Sequence, residues 1–443
     1  MRVLRNARLA DGRLVDIGVN TDDGTIASVT TAGTPATRST QNIDGSTGGA
    51  AEGTPATAIG DSDEVADPRS ATEVDDLGGW LVLPAMAEPH AHLDKALTAD
   101  EIPNPAGDLM GAIHAWFAAA EDGRLSYERT VERAREAFEM LLLHGVTAVR
   151  THINVTADIG VSSVLAVQEA ARSVEGLIDF QMVALTGWPM TGPDSGPNIR
   201  ALNDAVETGV DLIGGVPNLQ DDPPACIADV LALAASSDLD IDLHTDETLD
   251  PSVLTLRELA RQVRDKGFDG TVAASHCVSL GMQPPDVQAA VAAEVAAAGV
   301  SVITLPQTNL FLQGRDDPVA TPRGLTAVQA LLDAGAVVAA GADNVQDPFN
   351  LVGRSDPLET AALMVMAGHR LPADAYDMVS NISRQVMGLP AVNFEPGDPA
   401  DMVAIDAPSL RGAVADAPMS RRVYRRGRLV AKADQQTQVL RPD

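Results

Sequence analysis

Between Trp80 and Met387 the chain alternates short apolar runs with longer stretches of helical periodicity, and it does so eight times. The strand-like runs are Leu81–His92, Val146–His152, Ile178–Leu185, Val210–Val216, Ile241–His244, Thr271–His276, Ser301–Leu305 and Ala336–Asp343. Helical patterns fall between them, for example from Tyr127 towards His144 and over Asp286–Ala298. Such a chain has few ways to bury itself. Strands buried on both faces pair in parallel through crossover helices, and eight such units are the number that closes a barrel. A doubly wound open sheet is the competing arrangement, but no GxGxxG follows any of the runs. The predicted fold class is therefore α/β, a (β/α)8 TIM-type barrel, over residues 81–389.

Both ends of the chain read as β structure. Val3-Leu4, Val15–Val19 and Thr25–Val29 are short strand candidates separated by the turn pairs Asp11-Gly12 and Asp23-Gly24. Ala400–Ile405 and Arg421–Ala431 are the counterparts near the other end. We expect residues 1–80 and 390–443 to build one small β domain. Within it, residues 31–74 turn to Thr, Ala, Gly, Ser and Asp with few large apolar side chains, which predicts a flexible insertion.

Charge and hydropathy exclude several roles. A formal charge of -31 opposes nucleic-acid binding, which needs a basic stripe. No apolar run is long enough to span a bilayer, and the first residues lack the apolar core of a secretion signal. Cys226 and Cys277 form no CxxC pair and no disulfide framework, which suits a reducing compartment. The expectation is a cytoplasmic protein and a homo-oligomer, whose partner is a small molecule rather than a membrane or a nucleic acid.

The polar residues that close the strand candidates carry the chemistry. In barrel enzymes the active site lies at the C-terminal ends of the strands. His90 and His92 close the first strand, His244 the fifth, His276 the sixth and Asp343 the eighth. Residues i and i+2 of a strand share a side, so the imidazoles of His90 and His92 project together. A single buried His often just bonds a carbonyl, and an Asp at a strand end often caps a helix. Five such residues at one rim point instead to a transition-metal site. Glu247, three residues beyond His244, is placed to take a proton from metal-activated water and to pass it on. The fourth strand ends Gly214-Gly-Val-Pro-Asn218 with no Lys or Glu to bridge a second ion, so one metal is expected.

This arrangement resembles the amidohydrolase superfamily, and within it the cytosine deaminase branch. The segments that carry the resemblance are Glu88–Asp94, Asp242–Glu247, Ala274–His276, Asn309–Arg315, Arg323–Thr326 and Asp343–Pro348. The resemblance implies that His90, His92, His244 and Asp343 hold one divalent ion, iron or zinc. It implies that Glu247 shuttles protons, that His276 orients or polarises the attacking water, and that Asp343 serves catalysis as well as the metal. The implied reaction is hydrolytic deamination of a cytosine-like, amino-substituted N-heterocycle by attack at a C–N carbon. The alternative is an amidohydrolase that releases an alkylamine from a triazine- or pyrimidine-like ring, or opens a ring amide. A barrel that merely binds a ligand has no use for Glu247.

Two departures concern the ring. The Gln with which cytosine deaminases grip the pyrimidine is missing from Ala184–Met190, and Asn344 stands where they carry a second Asp. The Asp-Asn pair is similar to the N-isopropylammelide amidohydrolases, which lack a counterpart of Glu247. Gln313 matches the cytosine deaminases. Trp188 and Phe349, on loops at the expected rim, are candidates to stack on a flat ring, and His152 to line the pocket. The expected substrate-binding set is thus Trp188, Gln313, Asn344, Phe349 and His152.

Overall fold

The computed structural model describes residues 1–33 and 73–440. Most of the expected insertion, residues 34–72, lies outside the described residues. Its expected edges do not: Thr31 ends a strand, and Glu73 and Val74 begin another.

Two sheets organise the chain. The first contains β1 (Arg2–Arg8), β2 (Leu14–Asn20), β3 (Thr25–Thr31), β4 (Glu73–Asp76) and β5 (Leu81–Pro84). The second contains eight consecutive strands: β6 (Met86–Ala91), β7 (Val146–Val155), β8 (Asp179–Thr186), β9 (Leu212–Ile213), β10 (Asp240–Thr245), β11 (Val272–His276), β12 (Ser301–Thr304) and β13 (Val338–Ala340). Three late strands, β14 (Met402–Ile405), β15 (Arg421–Arg425) and β16 (Arg428–Ala433), return to the first sheet.

In the second sheet every neighbour pair is parallel and follows chain order from β6 to β13. A parallel bridge between Ala91 and Asp343 brings the last strand back to the first. Helices cross over on the outside, among them Tyr127–Leu143, Gly196–Thr208 and Thr255–Lys266. The chain thus forms the (β/α)8 barrel, beside a separate sheet built from its two ends.

The run read as the first barrel strand is in fact two strands. Leu81–Pro84 pairs antiparallel with β14 in the terminal sheet, and only Met86–Ala91 enters the barrel. The barrel therefore starts at Met86, not at residue 81. An unbroken apolar run does not reveal which sheet it feeds, because both faces of each strand are buried here. Helix Leu109–Glu121, capped by Asp108, stands between the first strand and Tyr127.

Buried arginines fasten the terminal sheet to the barrel. Arg421 forks onto both carboxylate oxygens of Asp356 at 2.9 and 2.7 Å and also donates to the His144 carbonyl. Arg425 pairs with Asp401 and with Asp179, the first residue of β8. These contacts lie at the N-terminal ends of the barrel strands and leave the opposite rim to the functional residues. No helix among the described residues is long and apolar enough to cross a membrane.

Candidate metal centre and active site

The C-terminal ends of four strands converge on one point. His90 lies in β6 and His92 just past its end, two residues apart and on the same side. His244 comes from β10, where it faces Ser275 of β11 across the ladder. Asp343 follows β13, and its backbone N–H donates to the His90 carbonyl at 3.0 Å. That single bond sets the carboxylate beside the two imidazoles.

The donor atoms are spaced as a metal site requires. His92 Nε2 lies 3.1 Å from His244 Nε2 and 3.2 Å from Asp343 Oδ1, and His90 Nε2 lies 3.6 Å from the same oxygen. Four ligands each about 2.1 Å from one ion in tetrahedral array stand roughly 3.4 Å apart. Among the described residues His90 Nε2 and both Asp343 oxygens have no hydrogen-bond partner, although all are buried. Orphaned buried donors and acceptors are costly, and a shared cation removes that cost for all of them. Burial, followed by the neighbouring imidazoles or Lys95, holds His90, His92 and His244 well below the ordinary histidine pKa. They are therefore neutral and offer lone pairs. The residues fit a divalent metal ion.

A second layer fixes the ligands. Ser275 Oγ bonds His90 Nδ1 at 2.8 Å and donates to Asp242 Oδ1 at 2.9 Å. Asp242 is in turn held by Arg150 Nη1 at 2.9 Å. Burial alone would raise the Asp242 pKa, but His152 and Arg150 outweigh it and the net shift is downward. His90, His152 and Asp242 also form a possible metal trio. Asp242, however, is already occupied by Arg150 and Ser275, so the first cluster is the better site. Glu88 caps the barrel seam: its carboxylate accepts from the Ala342 N–H at 2.9 Å and the His90 N–H at 3.2 Å. Burial pushes its pKa up to about 8.

His276 is present at the site for a reason that strand alternation opposes. Ser275 points into the barrel, so a regular strand would turn His276 outward. His276 instead takes a left-handed backbone, φ 69°, which swings its ring inward. Asp343 does the same with φ 68°. Such conformations are uncommon outside glycine and concentrate at functional sites. His276 Nδ1 lies 3.2 Å from Asn309 Oδ1, an oxygen that can only accept, so Nδ1 carries the proton and Nε2 is free. Nε2 faces Asp343 Oδ2 at 3.9 Å. Burial lowers the His276 pKa to about 4.

Glu247 reaches the same point. Its Oε1 is 3.6 Å from His276 Nδ1 and has no hydrogen-bond partner among the described residues. Burial, then the charge of Asp343, raises its pKa well above the usual carboxylate range.

A cavity of about 730 Å³, its open mouth included, leads to these groups. Of the expected substrate residues, Trp188, Asn344 and Phe349 line it. Trp188 stands at the mouth, 37% exposed and edge-to-face with Phe117. Asn344 donates to Asp347 Oδ2 at 2.7 Å. Gln313 does not line the cavity; its amide donates to the Glu247 carbonyl at 3.2 Å and braces that loop. His152 does not line it either, since its ring stacks behind His90 at 3.9 Å. Lys95, Trp116, Asn154 and Asn218 line the cavity and were not anticipated. Lys95 was within reach of the sequence, being one of only three lysines and standing three residues after His92.

Known proteins match this chain over most of its length. The sequence profile of the Amidohydrolase family matches residues 128–437. The chain is 33% identical to a pterin deaminase of Rhizobium rhizogenes over 366 residues, which is 81% of this chain and 82% of that protein. It is 26% identical to an N-isopropylammelide isopropyl amidohydrolase of Pseudomonas sp. strain ADP, covering 81% of this chain and 87% of the other. The fold superposes on a 5-methylcytosine deaminase from Klebsiella pneumoniae with a TM-score of 0.81 at 26% identity, covering 99% of both chains.

Proposed function

The chain belongs to the amidohydrolase family, and from that premise we propose that it is a metal-dependent deaminase of an amino-substituted N-heterocycle. One observation carries the reading: His90, His92, His244 and Asp343 converge with unsatisfied atoms beside Glu247 and His276, at the floor of a ring-sized cavity. The deaminases and amidohydrolases among its relatives support the same reaction type.

In this reading His90, His92, His244 and Asp343 hold one divalent ion, iron or zinc. When bound, the ion supplies the charge that lets water act as a nucleophile near neutral pH. His276 Nε2, fixed through Asn309, orients that water towards the ring. Glu247 accepts the proton that the water loses. Its elevated pKa then suits it to deliver this proton to the departing nitrogen. A C–O bond forms, the C–N bond breaks, and ammonia leaves. Trp188 and Phe349 present flat faces for a heterocycle.

Alkylamine release is the second reading. The apolar wall of Leu109, Ile113 and Phe117 offers room for an N-alkyl group. We propose a cytoplasmic enzyme, which two buried, unpaired cysteines suit, and a homo-oligomer that light scattering can test. The domain division we propose is a barrel from Met86 to residue 389, with the terminal sheet outside it.

The test is metal analysis of purified protein together with a screen of aminopyrimidines, aminotriazines and pterins for ammonia release. The expected result is close to one equivalent of iron or zinc and ammonia from at least one ring. Alkylamine release without ammonia would favour the second reading. Metal-loaded protein that releases neither would refute both.

A further inference from the structure

Lys95 is buried in the cavity wall, 2% exposed, with its Nζ between the rings of Trp116 and Phe349 at 5.7 and 5.6 Å. Its only hydrogen-bond partner among the described residues is His92 Nδ1 at 2.9 Å. The nearest carboxylate oxygen, on Asp94, is 3.7 Å away. The contact with His92 is incompatible with metal binding. His92 Nε2 faces the other ligands, so its lone pair must point there and the ring proton must sit on Nδ1. The His152 carbonyl, 3.2 Å from Nδ1, is the natural acceptor for that proton. A lysine has only protons to offer, so two donors then face each other and the Lys95 bond is lost. In the loaded site Lys95 is a buried donor on aromatic walls whose nearest carboxylate among the described residues, the otherwise unpartnered Asp94 Oδ1 at 3.7 Å, lies beyond hydrogen-bond distance, which leaves its protons for an acceptor on the ligand.

We propose that Lys95 is a specificity-determining residue that binds an oxygen on the substrate ring. This inference rests on the deaminase reading and narrows it to amino-substituted rings that also carry an oxygen acceptor. Chemistry gives that oxygen a second role. When water adds to the C=N carbon, the electron pair moves onto the ring nitrogen and, by conjugation, onto the carbonyl oxygen. Lys95 therefore meets charge that grows towards the transition state.

The test compares pterin with 2-aminopteridine, which lacks the oxo group, in zinc-loaded wild type and Lys95→Met. Two readouts are taken: the ratio of kcat/KM values, and the ratio of dissociation constants by calorimetry on a Glu247→Gln background. A hydrogen bond to a charged group corresponds to about 10- to 100-fold. Wild type should prefer pterin by at least that factor, and Lys95→Met should bring both ratios close to one while zinc content is unchanged. If Lys95→Met does not fold, Lys95→Gln serves the same comparison. An undiminished preference for pterin in the variant overturns the role of Lys95 and leaves the deaminase reading standing. If wild type neither binds nor deaminates pterin but deaminates an oxo-free ring, only the Lys95 inference fails. If it acts on no ring at all, both fail.

Discussion

Replacing Glu247 by Gln separates proton transfer from every other duty of the site. The side chain is 7% exposed, and its Oε1 has no hydrogen-bond partner among the described residues. The substitution thus breaks no hydrogen bond at Oε1 and preserves volume. His276 Nδ1 lies 3.6 Å from that atom, and burial, then the charge of Asp343, raises the carboxyl's pKa. Burial disfavours the charged form at this position, so an uncharged amide of the same shape should change stability by no more than about 0.5 kcal/mol. What the amide cannot do is take a proton and return it. General acid–base contributions are about 10²–10⁴-fold, or roughly 2.7–5.4 kcal/mol of barrier. The assay is steady-state ammonia release on whichever ring the screen identifies, with metal content and thermal midpoint measured on the same preparation. The expected outcome is unchanged metal and midpoint with kcat reduced at least about 100-fold. Wild-type kcat in the variant would refute the assignment and turn attention to His276. Loss of metal alongside activity would refute it differently, by making Glu247 a ligand.

Acid should reveal the buried imidazoles. Because the pKa values of His90, His92 and His244 lie well below the ordinary value, metal should be retained on dialysis at pH 5.5, and half-loss already at pH 6.5 would contradict the burial argument. In the metal-free protein the sign follows from proton binding. The unfolded chain takes up protons near pH 6.5 that these folded imidazoles refuse, so their contribution to stability falls as pH drops below that value, by up to about 1.4 kcal/mol per pH unit for each residue, while the raised carboxyls of Glu88 and Glu247 act in the opposite sense. The histidine contribution is read as the difference in the pH slope of urea stability between wild type and His90→Ala from pH 7.5 to 5.5, and equal slopes would contradict it. Arg150→Met strands Asp242 without its buried partner and should cost about 3–5 kcal/mol in urea unfolding; a loss under about 1 kcal/mol would show that the pair is not the anchor of the barrel floor. Cytosine should be a poor substrate, with kcat/KM below about 10⁴ M⁻¹s⁻¹, because the gripping Gln is absent. The structure adds that a Cβ at Gly187 would lie 2.9 Å from Thr156 Cγ2, so Gly187→Gln should restore little cytosine activity unless Thr156 is also made smaller.

The barrel was legible in the sequence because it rests on local periodicity. Eight alternations of strand and helix leave little choice of architecture, and strand ends mark the rim where polar residues gather. His90 and His92 needed only the two-residue repeat of a strand. Other features depend on contacts between distant segments and could not be read locally. Leu81–Pro84 and Met86–Ala91 belong to different sheets because partners some 60 to 320 residues away claim them, through β7 on one side and β14 on the other. His276 and Asp343 face the centre only because left-handed backbone overrides the alternation that the sequence implies. Gln313 and His152 carry the right chemistry at sensible positions, yet one braces a loop and the other backs a ligand. Residue type and spacing therefore pointed to the residues of the candidate centre, because metal ligation demands few atom types in a fixed order along the strands. Which of the remaining polar groups meets the substrate was decided by packing, since a side chain's partners depend on whatever the rest of the chain brings beside it.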